Sequence, residues 1–324
     1  MSKQKCSLKL YSNFLISNHN RYSGAELARV TPIIDMAHDS VSRWLARVNV
    51  RPAEIWRYVK NLVRPEEGYL IGDDTMLEKQ HSDKNEIVSW RYSGNKHCAV
   101  KGIPLVNLLW TGGEEFIPVD YCFYQKLKDN KTKNDHFQDM LKRAKKRGFK
   151  PRYIMMDSWY SGIENLKLIS KDLKWSFICN IACNRVVSPS KGAYCAVSDL
   201  DLTKGKVKRV WLKQFGYVLV CIRVDKDGDR TYLITNDLDL TNYDQFLKHW
   251  KHRWQVEEFH RGIKQTTGIE KCYSTQTQSQ KTHVFASFVA FLKLERQRLQ
   301  SQISWYEQKA LIPRLATASF LASA

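Results

Sequence analysis

The sequence predicts an α/β chain in which a mixed sheet carries the chemistry and helices flank it at both ends. Three observations lead there. Two short apolar runs, residues 69–72 and 152–156, pass directly into aspartate, and a carboxylate at a strand's end is costly unless it is solvated or holds a cation. Strand-like and helix-like patterns alternate between and after those runs. Residues 1 to about 64 instead carry helical patterns without strand alternation.

A hydrophobic content of 43% is enough for a real core, and 324 residues suit one large or two modest domains. Lys and Arg number 52 against 33 Asp and Glu, a formal charge of +19. That excess favours a polyanionic partner, most often nucleic acid, because it speeds encounter and each phosphate contact releases counterions. The eight cysteines are scattered, with no CxxC pair and no matching Cys/His pair at zinc spacing, so reduced and mostly buried thiols are expected. The chain starts without a signal-peptide apolar run and holds no stretch long enough to span a membrane, which makes a cytoplasmic protein the expectation.

Taken in order, residues 24–29 and 38–47 read as short helices separated by Thr31-Pro32. The second opens on Asp39 or Ser40 as a cap and carries Arg43 and Arg47, the character of a helix-turn-helix reading helix, although a small bundle packed on the rest fits equally. A boundary falls near residues 64–68. The run 69–72 then ends in Asp73-Asp74, where either residue can ligate a metal or both can cap a turn. Residues 99–110 and 116–124 are strands joined at Gly112-Gly113, and 126–133 is a basic loop. Residues 135–148 form a helix burying Phe137, Met140, Leu141 and Ala144 and stopped by Gly148. The strand 152–156 delivers Asp157, a ligand candidate or a helix cap, to a helix over 162–173, and 175–182 is another strand.

Strand, strand, strand, helix, strand, helix, strand is a ribonuclease-H-like order if the next core element is a helix after residue 240. The stretch between is too long for such a core. Its strands at 207–212, 217–224 and 231–235, with a turn at Asp227-Gly228, mark a β-rich insertion. A final helix over 282–300 packs through Val284, Phe285, Phe288, Phe291 and Leu292 and leaves 294–298 in solvent, and the tail beyond has weak signals. The expected fold class is therefore α/β, a ribonuclease-H-like catalytic core with a β-rich insertion, preceded by a small helical DNA-binding domain. Its units are 1–66 (helical, helix-turn-helix-like), 67–183 (first part of the core), 184–240 (insertion), 241–275 (core helix) and 276–324 (carboxyl-terminal helical region).

The helix over residues 249–264 carries the remaining chemistry. At about 100° per residue, Phe246, Trp250, Arg253, Glu257, His260 and Lys264 fall within roughly 80° of one another, while Val256, Phe259 and Ile263 gather elsewhere. One carboxylate between two cations suits a metal-bound phosphate. The plainer reading is a solvated helix with Arg253 and Glu257 as an i,i+4 ion pair. The spacing runs Trp250, two residues, Arg253, three residues, Glu257, six residues, Lys264, around His-Arg-Trp-x-x-Glu-Glu-Phe-His. It resembles the Tyr-Arg-Glu-Lys signature of DDE transposases from one large group of bacterial insertion sequences, with Trp250 in place of Tyr.

The resemblance implies Asp73 (or Asp74), Asp157 and Glu257 as a catalytic, metal-holding triad, with Mg²⁺ as cofactor and Mn²⁺ able to substitute. It assigns Arg253 and Lys264 to phosphates near the scissile bond, counts Trp250 and Arg261 among the DNA-binding residues, and gives Arg43 and Arg47 to the transposon end. Tyr232 or Trp211 of the insertion could stack on a flipped base, although core packing is the commoner role for either. It further implies cutting at transposon ends, joining of the freed 3′-hydroxyl to target DNA, double-stranded DNA as partner, and a homodimer in a synaptic complex. The setting would be a bacterial cytoplasm, at the nucleoid and away from membranes. Two other readings fit the residues: a transposase-derived DNA-binding protein that has lost cleavage, and a ribonuclease-H-like nuclease that resolves branched DNA.

Overall fold

The computed structural model describes residues 5–31, 36–82, 85–93 and 97–323. Pro32, read as a break between two helices, and the start of the chain, read for a targeting signal, lie outside them. Small polar residues begin the first helices. Ser7 accepts a hydrogen bond from the Leu10 N–H to cap α1 (Leu8–Ser17), and Ser23 caps α2 (Gly24–Arg29) through the Glu26 N–H. In α3 (His38–Arg47) the expected cap is not used. Ala37 precedes the helix, and Asp39 sits in its first turn 3.0 Å from Arg43, where its charge complements the free amides without capping them. A 3-10 turn, Pro52–Ile55, and α4 (Trp56–Val59) lead to the sheet.

The next elements are β1 (Tyr69–Glu78), β2 (Ser89–Ser93), β3 (Cys98–Thr111), β4 (Ile117–Phe123), α5 (Lys126–Asp129), α6 (Lys133–Lys146), β5 (Tyr153–Met156), α7 (Ile163–Lys167) and β6 (Phe177–Ile181). β1 lies between β3, antiparallel to it, and β5, parallel to it; β6 continues parallel beyond β5, and β2 and β4 both pair with the far edge of β3. α6 starts with a Thr132/Asp135 capping box and buries Phe137, Met140, Leu141 and Ala144, as its pattern predicts. The Phe137 ring fills the space beside Gly72, where a Cβ would stand 2.2 Å from Cε2, so glycine is what lets α6 approach β1 just ahead of Asp73. The expected basic loop at 126–133 contains the short helix α5.

The chain then adds β7 (Val186–Ser188), β8 (Cys195–Ala196), β9 (Val207–Leu212), β10 (Gly216–Val224) and β11 (Arg230–Thr235), in the stretch expected to be β-rich. β11 pairs antiparallel with β6, so these strands extend the existing sheet, in the order β2-β3-β1-β5-β6-β11-β10-β9-β7-β8 with β4 also on β3. The result is a mixed α/β chain with one large, mostly antiparallel sheet. β2, β7 and β8 were not expected; each is too short to show a period.

Where the sequence reads as one helix, α8 (Tyr243–Trp250) and α9 (Gln255–Thr267) are separated by a 3-10 turn, Lys251–Trp254. Such a turn winds at about 120° per residue, so a single α-helical wheel does not hold across it. α10 (Thr277–Ser301) begins earlier than expected, and α11 (Trp305–Ala322) follows it. Residues Leu294 and Glu295, read as solvated, are buried because α11 folds back on them. α10 also receives the amino-terminal helices, with Tyr11, Leu15, Val41 and Trp44 packing with Ala286 and Ala290. Among the described residues no helix is long and apolar enough to cross a membrane.

His283 of α10 ties these parts together. Its Nε2 donates to the Gly268 carbonyl at 3.0 Å, which leaves Nδ1 to accept from the Tyr11 hydroxyl at 2.8 Å. Burial, and then the charge of Lys79, lower its pKa to about 3, so the ring is neutral in the fold. The unfolded chain therefore binds the extra proton between pH 3 and about 6.5, and the stability this histidine contributes is lost as pH falls through that window. Urea unfolding at a series of pH values is expected to show wild type losing up to about 1.4 kcal/mol more per pH unit than His283→Gln below pH 6.5. Parallel pH profiles would contradict it.

Candidate active site

Asp73 lies in the middle of β1, opposite Asn107 of β3 in register. Successive strand residues point to opposite faces, so Asp73 and Asp74 are separated by the pleat. Asp73 faces α9, and its Oδ2 accepts from Arg253 Nη2 at 3.3 Å. Asp74 is held from the other side by Lys133 Nζ at 2.6 Å and the Tyr160 hydroxyl at 2.9 Å. Glu257, in the first turn of α9, accepts from Arg253 Nη1 at 3.1 Å. One guanidinium thus spans carboxylates that are far apart in sequence.

Asp157 follows β5 and caps the 3-10 turn Ser158–Tyr160, accepting from the Trp159 N–H at 3.0 Å and the Tyr160 N–H at 3.4 Å. It also lies near enough for its charge to act on Asp73 and Arg253. Potential ligand atoms of Asp73, Glu257 and His260 all lie within 4.8 Å of one another; Asp157 is outside this tightest group. His260 Nε2 is 3.1 Å from Asn107 Nδ2.

The electrostatics follow from crowding. Burial pushes the Asp73 carboxyl well above its ordinary value; Arg253 opposes this, and the charges of Asp157, Glu257 and Asp74 add to it. Burial likewise raises Asp157, against the pull of Arg253. Arg253 is itself buried, which would lower it, yet Asp73, Glu257 and Asp157 together hold it above its usual value. Burial, then Lys264 and Arg253, lower His260 to about 3, leaving a neutral imidazole able to donate a lone pair.

The other candidates are placed as follows. Lys264 donates to the Met76 carbonyl at 2.6 Å and lies 3.2 Å from Glu270. Trp250 is buried and lines a cavity of about 770 Å³ together with Arg253, Trp254, Arg223 and Thr231. Arg261 is exposed on α9, and Arg43 and Arg47 are exposed on α3. Tyr232 is buried in β11 opposite Ile181, whereas Trp211 on β9 is half-exposed. The sequence reading gave no role to His260 and did not single out Asn107. A lone amide within the apolar run 103–110 was the available signal for the latter.

Residues 65–292 match the family described as Transposase DDE domain, a span that includes Asp73, Asp157 and Glu257. No curated protein matches the chain. Among solved structures it is similar to a piggyBac transposase synaptic complex with hairpin DNA, at 11% identity and a TM-score of 0.57, over 95% of this chain and 68% of that one. At that identity the likeness is one of fold. The Drosophila P element transposase strand transfer complex matches at 12% identity over 53% of this chain and 37% of that one, and its TM-score of 0.29 is too low to carry weight.

Proposed function

The chain belongs to the transposase DDE domain family, and from that premise we propose that it cuts DNA at insertion-sequence ends and joins the freed 3′-hydroxyl to target DNA. The observation that carries this reading is the gathering of Asp73, Glu257 and Asp157, from β1, α9 and the end of β5, around one largely buried arginine. Three carboxylates with a single cation among them leave net negative charge in a poorly solvated place, which suits a hard divalent ion such as Mg²⁺ or Mn²⁺. Asp73, Asp157 and Glu257 would hold it, with the neutral His260 beside them. Divalent ions, when bound, neutralise charge on the scissile phosphate and activate water.

The protein's own groups do the rest. Arg253, whose Nη1 and Nη2 are engaged by Glu257 and Asp73, would turn its planar fork to phosphate oxygens once a cation took over those carboxylates, and Lys264 adds a point charge fixed by Met76 and Glu270. Trp250 contributes a cavity wall, and a phosphate hydrogen bond made through the family's Tyr hydroxyl has no counterpart here. The order β4-β3-β1-β5-β6, antiparallel then parallel, supports reading this part as ribonuclease-H-like. The exposed Arg43 and Arg47 of α3 support end binding by the amino-terminal helices, and the +19 charge supports duplex DNA as partner. Synapsis of two ends would require a dimer.

The test uses a duplex carrying the inverted repeats that flank the reading frame. With Mg²⁺, wild type is expected to nick it, and pre-cut ends are expected to join a supercoiled plasmid. Asp73→Asn, Asp157→Asn and Glu257→Gln should each lose at least about a thousandfold, because a ligand carries several kcal/mol of transition-state stabilisation. Asp74→Asn should lose far less. Cleavage without joining would favour a nuclease, and equal activity of Asp157→Asn would remove the mechanism.

A further inference from the structure

A second set of side chains leaves Asp157 by a route that shares no residue with the Trp250 cavity and that the cleavage chemistry leaves unused. Trp159 stands two positions after Asp157 and is 64% exposed, an unusual outlay of apolar surface beside a carboxylate. Its backbone N–H is bonded to Asp157 Oδ1 at 3.0 Å, which fixes its place in the chain beside that carboxylate. Lys133 Nζ lies 5.7 Å from the Trp159 ring centre and 6.0 Å from that of Tyr124. The Arg91 guanidinium lies 5.0 Å from the same Tyr124 ring. Beyond it opens a groove of about 380 Å³ whose lining includes Ser89, Arg91, Tyr124, Lys126 and Lys128. Aromatic ring and cation therefore alternate from the carboxylates to the groove.

That alternation matches a chain of flat bases and phosphates. A paired base has both faces covered by its neighbours, so an exposed ring of this kind recruits an unpaired one. We propose that Trp159 is a stacking platform for an unpaired nucleotide adjoining the scissile phosphate, and that Lys133 and Arg91 guide the strand's next phosphates toward the groove. The ligand class is single-stranded DNA. The proposal rests on the reading of Asp157 as a residue at the scissile phosphate.

The probe is the inverted-repeat duplex with a short unpaired flap at the cleavage position, carrying 2-aminopurine as the first flap base, in buffer without divalent ions. Wild type is expected to bind it and quench the 2-aminopurine, and Asp157→Asn to do the same. Trp159→Ala should abolish the quench and weaken flap binding by about five- to a hundredfold while binding the fully paired duplex as wild type does; Trp159→Phe should restore both. Full quench by Trp159→Ala, or equal loss on paired and flapped duplexes, overturns the platform alone. Failure of wild type to bind either duplex overturns the functional reading together with it.

Discussion

Replacing Arg253 with methionine is expected to cost the protein, in the absence of divalent ions, about 3–5 kcal/mol of unfolding free energy, the usual penalty for stripping the partner from a buried charge. Arg253 is the cation that contacts both Asp73 and Glu257, at 3.3 and 3.1 Å, and its charge also acts on Asp157. Without it Asp73 keeps its burial and its three like-charged neighbours. The pH dependence fixes the cause. Asp73's folded pKa already lies above its ordinary 3.8, so the native state binds the proton more readily than the unfolded chain, and stability falls as pH rises above about 4. Removing Arg253 raises that carboxyl further, so the variant should lose more at pH 8 than at pH 5. The double variant Arg253→Met/Asp73→Asn should recover part of the loss, with a coupling of about 0.5–3 kcal/mol. Additive losses, or a penalty independent of pH, would mean that methionine harms packing alone.

The same cluster separates what the sequence could reveal from what it could not. Strand runs ending at Asp73 and Asp157, and the spacing around Glu257, are local patterns, so the three positions could be named from one dimension. Choosing between Asp73 and Asp74 could not be done that way. Their alternation on a strand is certain, but which face meets α9 depends on β1 lying between β3 and β5. The 3-10 turn at Lys251–Trp254 was hidden because it holds no glycine or proline to break the helical pattern, and it is the reason Trp250 ends as a buried cavity wall while Arg253 reaches the carboxylates. The sheet's extension through β11 onto β6 is a pairing of segments distant in sequence, for which composition offers no register. Asn107 and His260 acquire meaning only once β3 and α9 are brought together.

The burial of Glu295 yields the second large effect: Glu295→Leu is expected to destabilise the protein by about 3–5 kcal/mol and to release α11. Sequence alone sets this glutamate in a charged, apparently solvated segment, because α11 carries Pro313 and a run of small residues that mask its periodicity. In the fold the carboxylate is fully buried and meets four donors. Oε1 accepts from the Phe116 N–H at 2.8 Å and Arg298 Nη2 at 2.9 Å; Oε2 accepts from Trp305 Nε1 at 2.7 Å and Arg298 Nε at 2.8 Å. One side chain thus joins the entrance of β4, the end of α10 and the start of α11. Leucine would leave the Phe116 N–H and the Trp305 indole without their acceptor, each costing more than the bond it loses, and would strip the carboxylate from Arg298, whose Nη2 would keep only the Glu114 carbonyl. Trp305→Phe, which withdraws only one donor and keeps the ring against Phe116 and Phe291, should cost about 1 kcal/mol. Limited proteolysis should accordingly cut Glu295→Leu between α10 and α11 far faster than Trp305→Phe. A Glu295→Leu protein within 1 kcal/mol of wild type would mean that apolar packing, not this carboxylate, fastens the carboxyl-terminal helix.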